Sequence, residues 1–181
     1  MSQKNKDELV QLLRSLKIAE FNEARPNDKS FLLDLSEVDL SGLQLSDADL
    51  SNADLTGADF GEAELASVKF TNSDLTSVNF ARTSITESLF IDAVLNGTKF
   101  IGARVSNSEF ADSDMSGADF SDCDLTNSDL TAALNLPMCK FDAYTIWPDL
   151  ELLPEDFDAE YIQDLASLND EEDSTETVYD Y

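Results

Sequence analysis

The segment Ala48-Asp49-Leu50-Ser51-Asn52-Ala53-Asp54-Leu55-Thr56-Gly57-Ala58-Asp59-Phe60 carries an apolar residue at every fifth position. The same frame extends unbroken from Leu35 to Leu130, and its centres are only Leu, Phe, Ile, Val or Met. Two residues before each centre, from Ala48 to Ser128, and again at Ala133, the side chain is Ala, Ser, Thr, Val or Cys. A period of five suits neither an α-helix nor a flat strand, whose side chains recur at 3.6 and 2 residues. A chain that turns a corner every five residues, however, can point every centre inward. Phenylalanine takes alternate centres from Phe60 to Phe120, with aliphatic residues between. With four fives to a coil, Phe60, Phe80, Phe100 and Phe120 stack on one side of a narrow square core. Phe70, Phe90 and Phe110 stack on the opposite side, and the small residues let the walls approach closely.

Ala48-Asp49-Leu50-Ser51-Asn52, Ala53-Asp54-Leu55-Thr56-Gly57 and Ala118-Asp119-Phe120-Ser121-Asp122 resemble the motif of the pentapeptide-repeat proteins. That motif is (Ala/Ser/Thr/Val)-(Asp/Asn)-(Leu/Phe)-(Ser/Thr/Arg)-Gly. The resemblance implies an all-β solenoid, a right-handed quadrilateral β-helix with four repeats per coil. Twenty repeats then make five coils, about 24 Å tall at one strand spacing per coil. The connector Phe21–Arg25 and the closure Phe141–Pro148 look most like bacterial members, cyanobacterial ones in particular.

The expected organisation has four parts: a capping helix and connector over 1–30, the β-helix over 31–148, a helical segment over 149–168 and an acidic disordered tail over 169–181. In the first, Leu9, Leu12, Leu13 and Leu16 share one face of a helix from Asn5 to Ile18. Asn5 with Glu8 forms a capping box, and Arg14 and Lys17 suit the negative end. Solenoids need such polar-faced caps. Glu20–Ser30 reads as a connector turning at Pro26-Asn27-Asp28, with Phe21 tucked against the cap. One residue is inserted near Leu134-Asn135-Leu136-Pro137, after which Leu136, Phe141 and Ile146 resume the period in one less regular coil. Trp147 plugs that end. Phe157, Tyr161, Ile162, Leu165 and Leu168 form a helical stripe within Pro154–Leu168. From Asn169 onward the chain is acidic and nearly free of aliphatic residues.

Charge narrows the range of partners. The 181-residue chain has a net charge of −27. Residues 149–181 hold thirteen acidic and no basic side chains. Such a surface disfavours nucleic acid and anionic membranes, both of which need Lys and Arg, and attracts basic partners. No apolar run approaches the ~18 residues that span a bilayer. The N-terminus lacks the apolar core and cleavage site of a signal peptide, so a cytoplasmic location is expected. Cys123 and Cys139 fall in small-residue slots and read as buried thiols.

There is no histidine, which removes the commonest general base and metal ligand. Aspartates recur because the repeat recurs, so no catalytic residue, cofactor or metal is expected. Asp112-Ser113-Asp114-Met115-Ser116-Gly117 resembles the start of a Ca²⁺ loop, but Cys123 stands where a bidentate Glu is needed. The informative departures lie in the middle coils. Leu89 and Val94 replace the polar residue before a centre, and Ile91 and Ile101 replace the Ser or Thr after one. Arg82, Lys99 and Arg104 lie in or next to the same coil. Exposed apolar residues rimmed by charge form a candidate protein-contact site. The expected function is therefore non-enzymatic protein binding in a regulatory or adaptor role, by a monomer or homodimer. The resemblance implies an alternative, since some pentapeptide-repeat proteins mimic DNA and bind type II topoisomerases such as gyrase. For that role Asp34, Asp54, Asp74 and Asp114 on one side, and Asp39, Asp59 and Asp119 on the next, supply the acidic surface.

Overall fold

Every centre from Leu35 to Leu130 is fully buried. What holds them inward is a register of twenty. In the computed structural model, which describes residues 5–25, 33–155, 157 and 158, each residue before a centre bridges in parallel to the one twenty positions on. Asp39 pairs with Asp59, Asp59 with Asn79, and Asn79 with Lys99. Five such residues of chain make one side, and four sides make a coil. The first side has Leu35, Leu55, Leu75, Leu95 and Met115 at its centres. The second has Leu40, Phe60, Phe80, Phe100 and Phe120. The third has Leu45, Leu65, Ile85, Val105 and Leu125, and the fourth Leu50, Phe70, Phe90, Phe110 and Leu130. Regular strand is short: β1 (Leu33–Asp34) pairs with β2 (Ala53–Asp54) on the first side. On the third side β3 (Glu64–Ala66), β4 (Ser84–Thr86) and β5 (Arg104–Ser106) stack in parallel.

The two phenylalanine columns form as the spacing predicts. Phe80 and Phe100 stack at 5.1 Å, Phe100 and Phe120 at 4.7 Å, and Phe90 and Phe110 at 4.7 Å. Across the core the columns meet edge to face, as Phe60 and Phe70 do at 6.0 Å. These are the favoured aromatic geometries, each adding about 0.5–1.5 kcal/mol beyond area burial.

The corners have a feature the sequence pattern did not announce. Every residue two past a centre, from Glu37 to Asn127, has φ between 53° and 69°, although only five are glycine. At most corners the centre's carbonyl then accepts from the N–H three residues on, as Leu55 does from Ala58 at 2.8 Å. This is the arrangement of a type II turn.

Corners after the third side lack that bond where Leu65, Ile85 and Val105 are the centres, and a buried serine ladder replaces it. The N–H of Val68 donates to Ser88 Oγ at 3.1 Å, that of Ser88 to Ser108 Oγ at 3.2 Å, and that of Ser108 to Ser128 Oγ at 3.2 Å. Buried backbone donors must be satisfied, so these hydroxyls hold the open corners.

Helix α1 (Lys6–Arg14) has the expected capping box of Asn5 and Glu8. It buries Leu9, Val10, Leu12 and Leu13 in the same core as the first coil. It stops earlier than the apolar spacing suggests. The N–H of Lys17 bonds the Leu12 carbonyl and that of Leu16 the Leu13 carbonyl, a Schellman end. Leu16 therefore takes φ 56° and lies 48% exposed, off the apolar face. The expected connector at 20–24 is instead part of α2 (Ile18–Ala24), which buries Phe21; the turn at Pro26–Asp28 lies outside the described residues.

Four polar side chains tie this helix pair to the first coil. Lys6 Nζ reaches Asp34 at 2.8 Å and the Ser36 carbonyl at 2.9 Å. Arg14 donates to the Asp39 carbonyl at 3.1 Å. Asn22 donates to the Asp47 carbonyl and accepts from the Asp49 N–H, both at 2.9 Å. Arg25, only 9% exposed, pairs with Asp49 and donates to the Ser51 carbonyl.

At the other end the frame slips more than expected. Asp114 bridges to Leu134 in the register of twenty, but Asp119 bridges to Lys140 and Asp124 to Ile146. One extra residue enters at the 3₁₀ turn Leu136–Met138, which contains Pro137, and another between Lys140 and Ile146. The second moves Ile146 out of the centre frame to a position 54% exposed, which puts Trp147 in the frame of Leu125. The indole packs on Phe141 at 4.4 Å, continuing the column from Phe120. A further 3₁₀ turn spans Leu150–Leu152. The helix expected over Pro154–Leu168 falls almost wholly, and the segment 169–181 wholly, outside the described residues.

Two measurements check this account. Ser108→Ala orphans the Ser88 N–H and is expected to cost about 1–3 kcal/mol. Ser113→Ala removes only a hydroxyl bond to the Phe110 carbonyl, since the Ser113 N–H is already held by the backbone, and should cost about 1 kcal/mol or less. Hydrogen exchange at the Ser88 amide should quicken only in S108A; equal effects in both variants would count against the ladder. The second measurement concerns pH. Lys6, then Ser36, holds the Asp34 carboxyl down at about 2. At Asp49 burial pushes upward, but Ser51 and Arg25 outweigh it and hold the carboxyl below its ordinary value. A carboxyl depressed in the folded state stabilises it at every pH above the unfolded value and stops doing so as pH falls through the folded one. Helical ellipticity is thus expected to decline between about pH 4 and pH 2, and Asp34→Asn should flatten that decline. Relief of general charge repulsion is common to both chains and cancels in the comparison.

Candidate protein-contact surface

Where an aspartate precedes a centre, its carboxylate is engaged locally. Oδ1 of Asp34, Asp39, Asp54, Asp59, Asp74, Asp114 and Asp119 each accepts the N–H two residues on, at 2.8–3.1 Å. Where that residue is serine its hydroxyl often donates too, as Ser41 does to Asp39 and Ser116 to Asp114 at 2.7 Å. Ser41 holds the Asp39 carboxyl below its ordinary value; Asn135 and then Ser116 do the same for Asp114. These carboxylates are corner-forming Asx turns first and surface charge second.

Their order along the axis matters as well. On the first side the bridges run Asp34, Asp54, Asp74, Val94, Asp114. On the second they run Asp39, Asp59, Asn79, Lys99, Asp119. Neither side carries an unbroken acidic column: Val94 interrupts one, and Asn79 and Lys99 the other. Asp114, the core of the Ca²⁺-like hexapeptide, spends Oδ1 on Ser116 and on the Asn135 amide at 2.8 Å.

The seven residues singled out in the middle coils encircle the prism. Leu89 and Ile91 flank Phe90 on the fourth side, and Val94 precedes Leu95 on the adjoining first side. All three are half-buried. Leu89 is stacked between Lys69 and Glu109, and Val94 between Asp74 and Asp114, so each aliphatic side chain is framed by charge along the axis. Ile101 lies on the second side, opposite Leu89, and is 41% exposed. Lys99 shares that side, Arg104 the third, and Arg82 the corner between them. The structure thus brings Leu89, Ile91 and Val94 together around one corner and leaves Ile101 with the three basic residues on the other half.

Beside Ile101 a shallow depression opens because the column below it is Ala81 and Gly61. Asp59, Asn79, Glu62 and Arg82 line it, with Asn79 donating to Asp59 at 2.8 Å. Arg82 reaches Glu62 only at 3.9 Å, a well-exposed pair that contributes little, and Arg104 reaches the half-buried Asp124 at 3.8 Å. Both cysteines are buried free thiols. Burial pushes Cys123 far up and Cys139 to about 12, so neither is a reactive thiolate. Sequence reasoning missed the serine ladder and the Arg25 anchor. Their one visible signal was the serine run at 88, 108 and 128, spaced by one coil.

Comparison with known proteins agrees with this architecture. A family model described as the pentapeptide repeat region matches residues 63–136, and one described as pentapeptide repeats (8 copies) matches residues 34–72. A search of curated proteins found no match. Similar solved structures include Rfr23, a pentapeptide repeat protein from the cyanobacterium Cyanothece. It is 21% identical, and the match covers 64% of this chain and 89% of that one with a TM-score of 0.36. HetL from the cyanobacterium Nostoc sp., involved in heterocyst differentiation regulation, is 20% identical. Its match covers 78% of this chain and 59% of HetL, with a TM-score of 0.37. QnrB1, a plasmid-mediated fluoroquinolone resistance protein, is 18% identical over 77% of this chain and 86% of its own, with a TM-score of 0.37. The two family matches together take in residues 34–136, more than half of the chain: it belongs to the pentapeptide-repeat family, whose fold is a right-handed quadrilateral β-helix.

Proposed function

We propose that this protein is a non-enzymatic, cytoplasmic binding module that docks another protein on the corner formed by Leu89, Ile91 and Val94. The observation that carries this reading is the exchange, within one coil, of corner-forming polar residues for aliphatic ones. Elsewhere the position before a centre holds a polar or charged residue, which at the aspartates and Asn79 caps its own turn. Leu89 and Val94 present apolar surface there instead, framed by Lys69 and Glu109 and by Asp74 and Asp114. An apolar centre with a charged rim is the anatomy of a protein interface. In this reading α1 and α2 cap the N-terminal end of the solenoid, and the segment after Pro148 closes the other. Ile101, with Arg82, Lys99 and Arg104, forms a second and weaker contact on the far half, which a partner reaches only by wrapping the prism.

Leu89→Asp with Ile91→Asp should abolish capture of the partner from a lysate of the source organism while leaving the circular dichroism unchanged, and Ile101→Asp should weaken capture less. Undiminished capture by the double variant would remove this corner from consideration.

A second reading, that the protein mimics DNA toward a type II topoisomerase, draws support from the net charge of −27 and from the Asp34, Asp54 and Asp74 column. Duplex DNA carries one charge per about 1.7 Å of axis, whereas a single side offers one per coil, about 4.8 Å. Mimicry therefore needs several sides at once, and Val94 and Lys99 interrupt two of them. In a supercoiling assay with purified gyrase, the protein-binding reading predicts neither inhibition nor protection from quinolone at micromolar protein; either effect would favour mimicry.

A further inference from the structure

The corner at Leu89, Ile91 and Val94 is bordered by unmatched charge. Within one coil of it, on the same two sides and the corner they share, the charged residues are Lys69, Asp74, Asp92, Glu109, Asp112 and Asp114. All but Lys69 are acidic. Lys69 and Glu109 bridge to Leu89, and Asp74 and Asp114 to Val94. These four thus sit one strand spacing, about 4.8 Å, from the apolar side chains. Asp92 and Asp112 occupy successive corners, at φ 55° and 56°. Asp74 and Asp114 spend Oδ1 on their own turns. Asp92, Glu109 and Asp112 cap no turn, and their carboxylates accept no hydrogen bond among the described residues. Nor, among the described residues, does any Lys or Arg pair with these five carboxylates. The opposite half of the prism differs. There Glu62 has Arg82 beside it, Asp119 has Lys140 and Asp124 has Arg104, at 3.8–3.9 Å.

We propose that this corner takes a basic amphipathic segment of another protein. Its apolar residues meet Leu89, Ile91 and Val94, and its Lys or Arg side chains reach the surrounding carboxylates. This inference rests on the docking reading above and adds the chemistry of what docks. Charge complementarity selects the occupant. A neutral apolar partner would dehydrate the bordering carboxylates and supply no counter-charge, which is costly. An acidic partner sets like charge against them, and a second copy of this chain, with its net charge of −27, is such a partner. A partner with cations alone leaves three half-buried aliphatic side chains uncovered, at positions where the repeat elsewhere carries polar groups. Only a partner that brings both apolar and cationic groups answers both features of the surface.

The probe is a labelled helical peptide of Leu and Lys, about five turns long, with Leu along one face. Its affinity for the full chain is read by fluorescence anisotropy. Oligolysine of equal charge is expected to bind about tenfold more weakly or worse, because it cannot cover the aliphatic side chains. Leu89→Ser with Ile91→Ser should bring the Leu–Lys peptide down to the oligolysine level. Asp92→Asn, Glu109→Gln and Asp112→Asn together should weaken the peptide about tenfold, as three exposed pairs acting jointly. Asp47→Asn, Glu64→Gln and Asp122→Asn remove the same charge elsewhere and should weaken it about threefold or less, since screening blunts distant charges. Circular dichroism should be unchanged throughout, because Asn accepts positive φ and Gln matches Glu in shape.

Equal weakening by the two triple variants would overturn the proposal, as would oligolysine binding as tightly as the Leu–Lys peptide; in either case net charge alone acts. Peptide binding unchanged by the double serine variant would overturn it too. Lysate capture that Leu89→Asp with Ile91→Asp abolishes, but that the corner triple variant leaves intact, would overturn the basic partner and leave the docking reading standing. A mass above that of a single chain in light scattering, lowered by the double serine variant, would give the corner to a second copy instead.

Discussion

The fold depends on a corner that closes every fifth residue. Each corner puts one residue at positive φ, a conformation that costs an ordinary L-residue roughly 1–2 kcal/mol. Glycine meets it without cost at Gly57 and Gly97, but Glu37, Glu62, Arg82 and Glu87 meet it as well. What compensates is the coil below and the coil above. The N–H of Glu62 bonds the Ala81 carbonyl and that of Arg82 the Ile101 carbonyl. Most of these strained residues are thus held by a ladder bond into the next coil, and the strain is tolerable because the stack exists. This makes stability a matter of neighbouring coils, as in other quasi-one-dimensional proteins.

The same constraint explains why an acidic protein is acidic. Aspartate before a centre is suited to an Asx turn because its short side chain reaches the N–H two residues on. Asn79 does the same for Ala81, at 3.1 Å, without charge. Much of the negative surface is therefore a by-product of building corners with Asp rather than Asn. The outward-facing carboxylates still affect partners, since a field of one sign repels polyanions and steers cations. They are poor evidence for a specific acidic site. Leu89 and Val94 carry more information, because they are the aliphatic residues at a position that is polar or charged before every other centre from Leu35 to Leu130.

The centres, the square section and the two phenylalanine columns were legible in the sequence, because burial of every fifth residue leaves a one-dimensional trace. The placement of Asp34, Asp54 and Asp74 on one side followed from the same count. Three things were hidden, each for a physical reason. Leu16 fits an apolar helical face by spacing, but a Schellman end depends on carbonyl pairing that spacing does not encode. The division of the middle-coil residues into two halves of the prism follows from counting sides, yet their proximity in sequence suggests a single patch. The second slip, which exposes Ile146 and seats Trp147, arises where both are large and apolar, so either frame satisfies the pattern.

The two ends of the solenoid differ in how they are finished. At the N-terminus, polar side chains from α1 and α2 grip the first coil at Asp34, Asp39, Asp47, Asp49 and Ser51. They take up backbone groups that an open edge would leave bare, and Arg25 does so while nearly buried. A cation buried against one carboxylate is costly to separate from it. The C-terminal coil is tied to the coil before it by Asn135 to Asp114, by Thr145 to the Phe120 carbonyl and by the Asp122 N–H to Asp142, and its far side carries an aromatic column and exposed apolar side chains. The N-terminal end cannot open without first breaking its ion pairs, whereas the described residues of the last coil present apolar side chains to solvent.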